Sequence, residues 1–252
     1  MKKAVQQLDS IIYDIIHQHR LDGNKNDVLT MLLEARDGDS SSDQRLAGMS
    51  DKQLRDEAMT LFLAGHETTA IALSWTCYLL SQHPEVEAKL LTELNSVLGG
   101  RSPKVADLTQ LKYTRWVINE SLRLYPPAWM IGRQSLNECE IGGYQIPVGS
   151  IILMSQWVMH HDPRYFREPD YVNPDRWISG FIKSIPRYAY FPFGGGPRQC
   201  IGSSFALMEA TLVLATIAQQ FSLKIKPGFI PAPWPSITLR PKNGMRMILE
   251  KR

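Results

Sequence analysis

The residues Phe193-Gly194-Gly195-Gly196-Pro197-Arg198-Gln199-Cys200-Ile201-Gly202 set one thiol at the end of a glycine-rich run. Metals bind the thiolate, and a position just ahead of a helix N-terminus favours that anion. Backbone N–H groups near the sulfur moderate its electron donation. Glycines before the cysteine let main chain approach a flat ligand, and Gly202 keeps a side chain from beneath it. Arg198 offers a guanidinium to any carboxylate on such a ligand. A lone cysteine after such a loop is usually an inert buried thiol. Here the whole ten-residue pattern argues against that.

A second constellation is Ala64-Gly65-His66-Glu67-Thr68-Thr69, inside a long apolar stretch. A threonine hydroxyl that bonds back to a carbonyl one turn earlier loosens a helix and admits water. A neighbouring carboxylate relays protons. A zinc-protease reading of His66-Glu67 fails, because position 70 is Ala where a second His is required. The plainer alternative is a satisfied polar patch in a core helix. Glu120 and Arg123 sit one helical turn apart and can pair. Alone, such a pair is a surface salt bridge; Leu122, Leu124 and Pro126-Pro127 indicate a buried helix end instead. The adjacent His160 and His161 point in different directions in any regular element, which argues against a shared metal.

Together these segments resemble the cytochrome P-450 superfamily, in which Phe193, Gly196, Cys200 and Gly202 match fixed positions of the haem-binding signature. The resemblance implies a mainly α fold with a minor β component: a partial cytochrome P-450 fold, forming one domain over residues 1–252. That domain comprises a C-terminal helical core, a haem-binding loop and small sheets. It implies haem b (iron protoporphyrin IX) with Cys200 as axial iron ligand, and Arg198 and Arg133 on its propionates. Glu67 takes the part of the acid and Thr68 that of the alcohol. Glu120, Arg123 and Arg176 form a structural triad that locks the loop before the cysteine. Phe62, Leu63 and Ala64, then Ala128, Trp129, Met130 and Ile131, then Ile237, Thr238 and Leu239 fall where the family lines its substrate pocket. For His161, contact with the haem edge and a purely structural place both stay open.

The function so implied is monooxygenation of an apolar organic substrate by O2. Electrons derived from NAD(P)H arrive through a ferredoxin, flavodoxin or reductase. A truncated, non-catalytic fragment that binds haem weakly, and a peroxide-driven or isomerising haem-thiolate protein, are the competing readings. Family members carry an N-terminal portion with no counterpart here, where any membrane anchor would lie.

The bulk properties agree. With 252 residues and 44% hydrophobic content, the chain can bury a core. A net charge of +3 is small for its size and argues against nucleic acid as the main partner. Three cysteines, Cys77, Cys139 and Cys200, make a poor disulfide framework and suit a reducing, cytoplasmic setting. Met59 to Leu80 is apolar enough to suggest a membrane span, but His66 and Glu67 at its centre argue for a buried helix.

The elements that must position these residues follow from period and punctuation. Val5, Leu8, Ile11, Ile12, Ile15 and Ile16 give one amphipathic helix, and Asp27 to Ala35 a short second. Arg36 to Met49 reads as a solvated loop, after which Ser50 and Gln53 form a capping box opening the long helix. His83-Pro84 starts a helix ended by Gly99-Gly100, and Tyr113 to Leu124 forms the next. Arg133 precedes the first of several short strand-like runs, among them Ile151 to Met154. Tyr165 to Pro197 reads as an ordered meander, followed by a helix from Ser203 to about Gln219. The tail predicts a hairpin: Ile237 to Leu239, a turn at Asn243-Gly244, then Met245 to Leu249.

Overall fold

A computed structural model describes residues 2–23, 25–35, 48–178 and 180–252, divided into two compact units, 1–66 and 67–252. In the first unit the amphipathic period produces α1 (Lys2–Asp22), whose Ile12 and Ile16 pack with Leu54. Asp27 caps α2 (Val28–Glu34) by accepting from the Thr30 amide at 2.9 Å. The capping box then starts α3 (Asp51–Gln82). The Ser50 amide donates to Gln53 Oε1 at 2.9 Å, and the Gln53 amide donates to Ser50 Oγ at 3.3 Å. Most of the expected 36–49 loop lies outside the described residues.

The second unit begins within α3 and adds α4 (Pro84–Leu98) and α5 (Lys112–Leu124). Gly99 ends α4 with φ +57° and donates its amide to Asn95 O, a left-handed cap that glycine adopts without strain. Two short helices, α6 (Gln156–His160) and α7 (Phe181–Ser184), precede α8 (Ser203–Gln220). Leu79, Leu90, Leu94, Leu111, Ile118, Leu122 and Leu214 form its buried core. Within α3, Ile71, Trp75 and Leu79 are buried, whereas Phe62 and Leu63 are exposed. The expectation of a buried helix over Met59 to Leu80 therefore holds for the second half of that stretch. Among the described residues, no helix is long and apolar enough to cross a membrane.

Four antiparallel strand pairs complete the unit. β1 (Ile131–Gln134) pairs with β4 (Ile151–Met154), and β2 (Cys139–Ile141) with β3 (Tyr144–Ile146). β5 (Phe221–Ile225) pairs with β8 (Met247–Lys251), and β6 (Pro233–Pro235) with β7 (Leu239–Pro241). Two expectations are corrected. Arg133 lies inside β1, opposite Ile152, rather than ahead of the strands. The tail hairpin also forms differently: Leu239–Pro241 turns back on Pro233–Pro235, and Met247–Lys251 goes to Phe221–Ile225 instead. Asn243-Gly244 does bend the chain, with Gly244 at φ +72°. Its upstream arm, however, is already paired and ends in Pro241, which has no N–H for a further ladder bond.

Candidate functional site

The cysteine loop is held by its own main chain. Cys200 N donates to Phe193 O at 2.9 Å, closing the glycine run into a tight loop. Gly194 and Gly196 take φ +69° and +67°, a region that penalises any side chain. A Cβ on Gly195 would meet the Tyr188 ring at 2.5 Å. One on Gly202 would stand 3.9 Å from Cys200 Sγ, so glycine leaves the flank of the sulfur open. Gly202 is also the N-cap of α8, an 18-residue helix whose positive end lies just beyond the thiol.

Cys200 is exposed, and beside it Ile201, at 90% exposure, and Phe205 present apolar surface. Among the described residues the Arg198 guanidinium has no carboxylate partner, and Arg133 Nη1 donates to Gly132 O at 2.8 Å. No group of three or more His, Cys, Asp and Glu suited to a metal occurs among the described residues. An iron bound here would take one thiolate from the protein and its remaining ligands from elsewhere. The thiol, its apolar flank and the Arg198 guanidinium fit a flat macrocycle bearing carboxylates.

Behind the loop, α5 builds a buried charge knot. Glu120 and Arg123 are both 0% exposed, which only full pairing makes tolerable. Arg123 Nε donates to Glu120 Oε2 at 3.0 Å and Nη2 to Oε1 at 2.9 Å, a bidentate pair. Arg176 Nε reaches Glu120 Oε1 at 3.0 Å, so the three expected triad members meet on one carboxylate. Trp177 Nε1 and the Asn173 amide also donate to it, each at 2.9 Å. Arg123 Nη1 donates to His160 O at 2.9 Å and carries the knot to α6.

His160, weighed in the sequence only as a metal ligand, joins this knot to the cysteine loop. Its Nε2 accepts from the Phe191 amide at 3.0 Å, two residues before Phe193. The ring is therefore neutral, and burial pushes its pKa down to about 3. Tyr190 supports the same stretch by donating to Asn119 O at 3.0 Å, and burial raises its phenol far above the usual range. His161 Nδ1 donates to Trp157 O at 2.7 Å. The contacts of His160 and Tyr190 span dozens of residues, so local sequence carries no signal for them.

On α3, the Glu67 carboxylate accepts from Thr238 Oγ1 at 3.2 Å and faces Arg240 Nη1 at 3.7 Å. Thr68 beside it is half-buried. The segments expected to line a pocket meet in part. Trp129 Nε1 donates to Ser236 O, the Leu239 amide to Pro127 O, and Trp75 Nε1 to Leu239 O, each at 2.9 Å. Ala128, Met130 and Ile131 are half-buried along this run, and Ile237 is exposed at the tip of the turn. Phe62, Leu63 and Ala64 belong to the first unit, where the Phe62 ring stacks on His66 at 5.9 Å.

A family model described as Cytochrome P-450 matches residues 1–246. Cyclooctatin synthase of Streptomyces melanosporofaciens is 43% identical over 99% of this chain and 53% of its own length. Cyclooctat-9-en-7-ol 5-monooxygenase of the same organism is 40% identical, over 90% of this chain and 48% of its own. Among solved structures, retinoic-acid-bound cyanobacterial CYP120A1 superposes with a TM-score of 0.90 at 30% identity, over 100% of this chain and 57% of that one. The chain thus spans about half the length of the curated relatives it matches.

Proposed function

This chain belongs to the cytochrome P-450 family, and we propose that it works as a haem-thiolate monooxygenase on an apolar organic substrate. The observation that carries the reading is the Cys200 loop: an exposed thiol ahead of α8, with glycine on its flank and apolar neighbours. Bound haem would supply the redox-active iron at which O2 is activated. Cys200 Sγ would be its protein ligand, Phe193, Gly196 and Gly202 its close surroundings, and Arg198 and Arg133 the partners of its propionates. Glu67 and Thr68 hold and move protons on α3. Within the second unit, exposed Ile237 with Trp129 and Met130 presents apolar surface to a substrate, and in the first unit Phe62 and Leu63 are exposed apolar side chains. Electrons derived from NAD(P)H come through a ferredoxin, flavodoxin or reductase. The reading includes a cytoplasmic setting, consistent with three unpaired cysteines. The relatives support the same reading, since one of them is a cyclooctat-9-en-7-ol 5-monooxygenase.

The test is haem reconstitution followed by the spectrum of the ferrous carbon monoxide complex. The expected result is the red-shifted Soret band of a thiolate-ligated haem, lost in Cys200→Ser because an alcohol is a far poorer ligand. A red-shifted band that survives Cys200→Ser would remove Cys200 as ligand.

A further inference from the structure

We infer that Thr238 is a positioning residue for Glu67, fixing the carboxylate in the rotamer from which it passes protons. This rests on the reading above for the role of Glu67. The geometry makes the hydroxyl the fixed partner and the carboxylate the held one. Thr238 is 8% exposed, whereas the Glu67 side chain is 46% exposed. A threonine is stiff at χ1, while a glutamate has several rotatable bonds to immobilise.

The backbone around Thr238 is pinned on both sides. Ser236 O accepts from Trp129 Nε1, and Leu239 both donates to Pro127 O and accepts from Trp75 Nε1. Trp75 lies on α3 about two turns beyond Glu67. The turn is thus tied to the helix at two heights, and the Thr238 hydroxyl meets Oε1 of Glu67 from an anchored frame. Arg240, from the same segment, faces the same Oε1 at 3.7 Å. Without the hydroxyl, the carboxylate would follow that longer, half-exposed side chain toward solvent.

The test begins without haem or turnover. In the full chain carrying carboxyl-labelled glutamate, the Glu67 carbon resonance is identified by its loss in Glu67→Gln. Thr238→Val keeps the branched shape and removes the hydroxyl; Thr238→Ser keeps the hydroxyl. The resonance is expected to shift in the valine variant and return to its parent position in the serine variant. If the valine variant does not fold, Thr238→Ala, which adds no bulk, carries the same expectation. An unmoved resonance overturns the proposal.

In the haem-loaded chain, product formed per electron consumed is expected to fall about tenfold in Thr238→Val, a modest share of what a positioned proton donor contributes. The Thr238→Val/Glu67→Gln double variant should lose no more than Glu67→Gln alone, since the two act as one unit. A shifted resonance with unchanged coupling of electrons to product overturns the positioning role. Failure of the haem reading shows separately, as a parent chain without the thiolate spectrum whose Thr238→Val shift persists. That outcome overturns the proton role of the pair.

Discussion

Two polar centres in the second unit are built in opposite ways. At the Glu120 knot, every charge is met: one carboxylate accepts from Arg123, Arg176, Trp177 and a backbone amide, all out of water. At the cysteine loop the main chain is satisfied, yet the thiol and the Arg198 guanidinium face outward, beside exposed Ile201 and Phe205. Saturation and burial mark side chains that serve the fold. On the haem-thiolate reading proposed above, an exposed donor on an internally saturated loop is one left open for a ligand. His160 connects the two, accepting from the loop at Phe191 and lending its carbonyl to Arg123.

Breaking the comparison should cost most at the knot. Glu120→Gln leaves Arg123 buried without its countercharge, with an expected loss of about 3–5 kcal/mol in chemical denaturation. A loss no larger than that of an ordinary surface substitution, within about 0.5 kcal/mol, would show that the knot does not hold the fold.

The next effect is on acid stability. His160 titrates near 3 in the folded chain, below its ordinary value of 6.5. An unfolded chain takes up a proton below 6.5 that the folded chain refuses until about 3. Stability from this group is therefore full above the unfolded value and falls as pH drops through that window, by about 1.4 kcal/mol per pH unit. Denaturation midpoints measured across the window should show the slope, and His160→Leu should flatten it while lowering stability at neutral pH.

Gly196→Ala sharpens the contrast within the loop. Its φ of +67° penalises a side chain although nothing lies within 4 Å of the new Cβ. The expected cost is about 1–2 kcal/mol by thermal denaturation, from backbone strain alone. Smallest of all should be Cys200→Ser, within about 0.5 kcal/mol of the parent because the side chain is exposed. A cost there matching that of Glu120→Gln would erase the distinction between the two centres.

The helices were legible because their signals are local. The Ser50–Gln53 box, Gly99 and the apolar period of α1 each act within a few residues. The triad was legible for a related reason: Glu120 and Arg123 share a helix turn, and Arg176 falls in a segment, Pro174-Asp175-Arg176-Trp177, that matches its family place. Strand pairing was not. Phe221–Ile225 carries no turn that names Met247–Lys251 as its mate, and a nearby Asn-Gly drew the tail toward the wrong hairpin. The Cys200 loop was legible as a candidate site from ten residues. The contact of Glu67 with Thr238, 171 positions apart, was not.

Leu239 joins the chain's late residues to its earlier ones, and this sets an order of events. Its carbonyl meets a tryptophan 164 positions back, a contact that cannot form until residue 239 has been synthesised. By then the Glu120 knot and the cysteine loop can be in place, since their contacts are shorter in range, whereas Glu87 on α4 still waits for Arg252, 165 positions on. Closing so long a loop adds little entropy beyond a shorter one, so the delay comes from waiting for the partner to exist. A nascent chain, or one stopped before Thr238, would display the thiol and the α3 carboxylate without the clasp that joins α3 to the tail. The hydrogen bond of Thr238 to Glu67 is held back in the same way, until residue 238 has joined the fold.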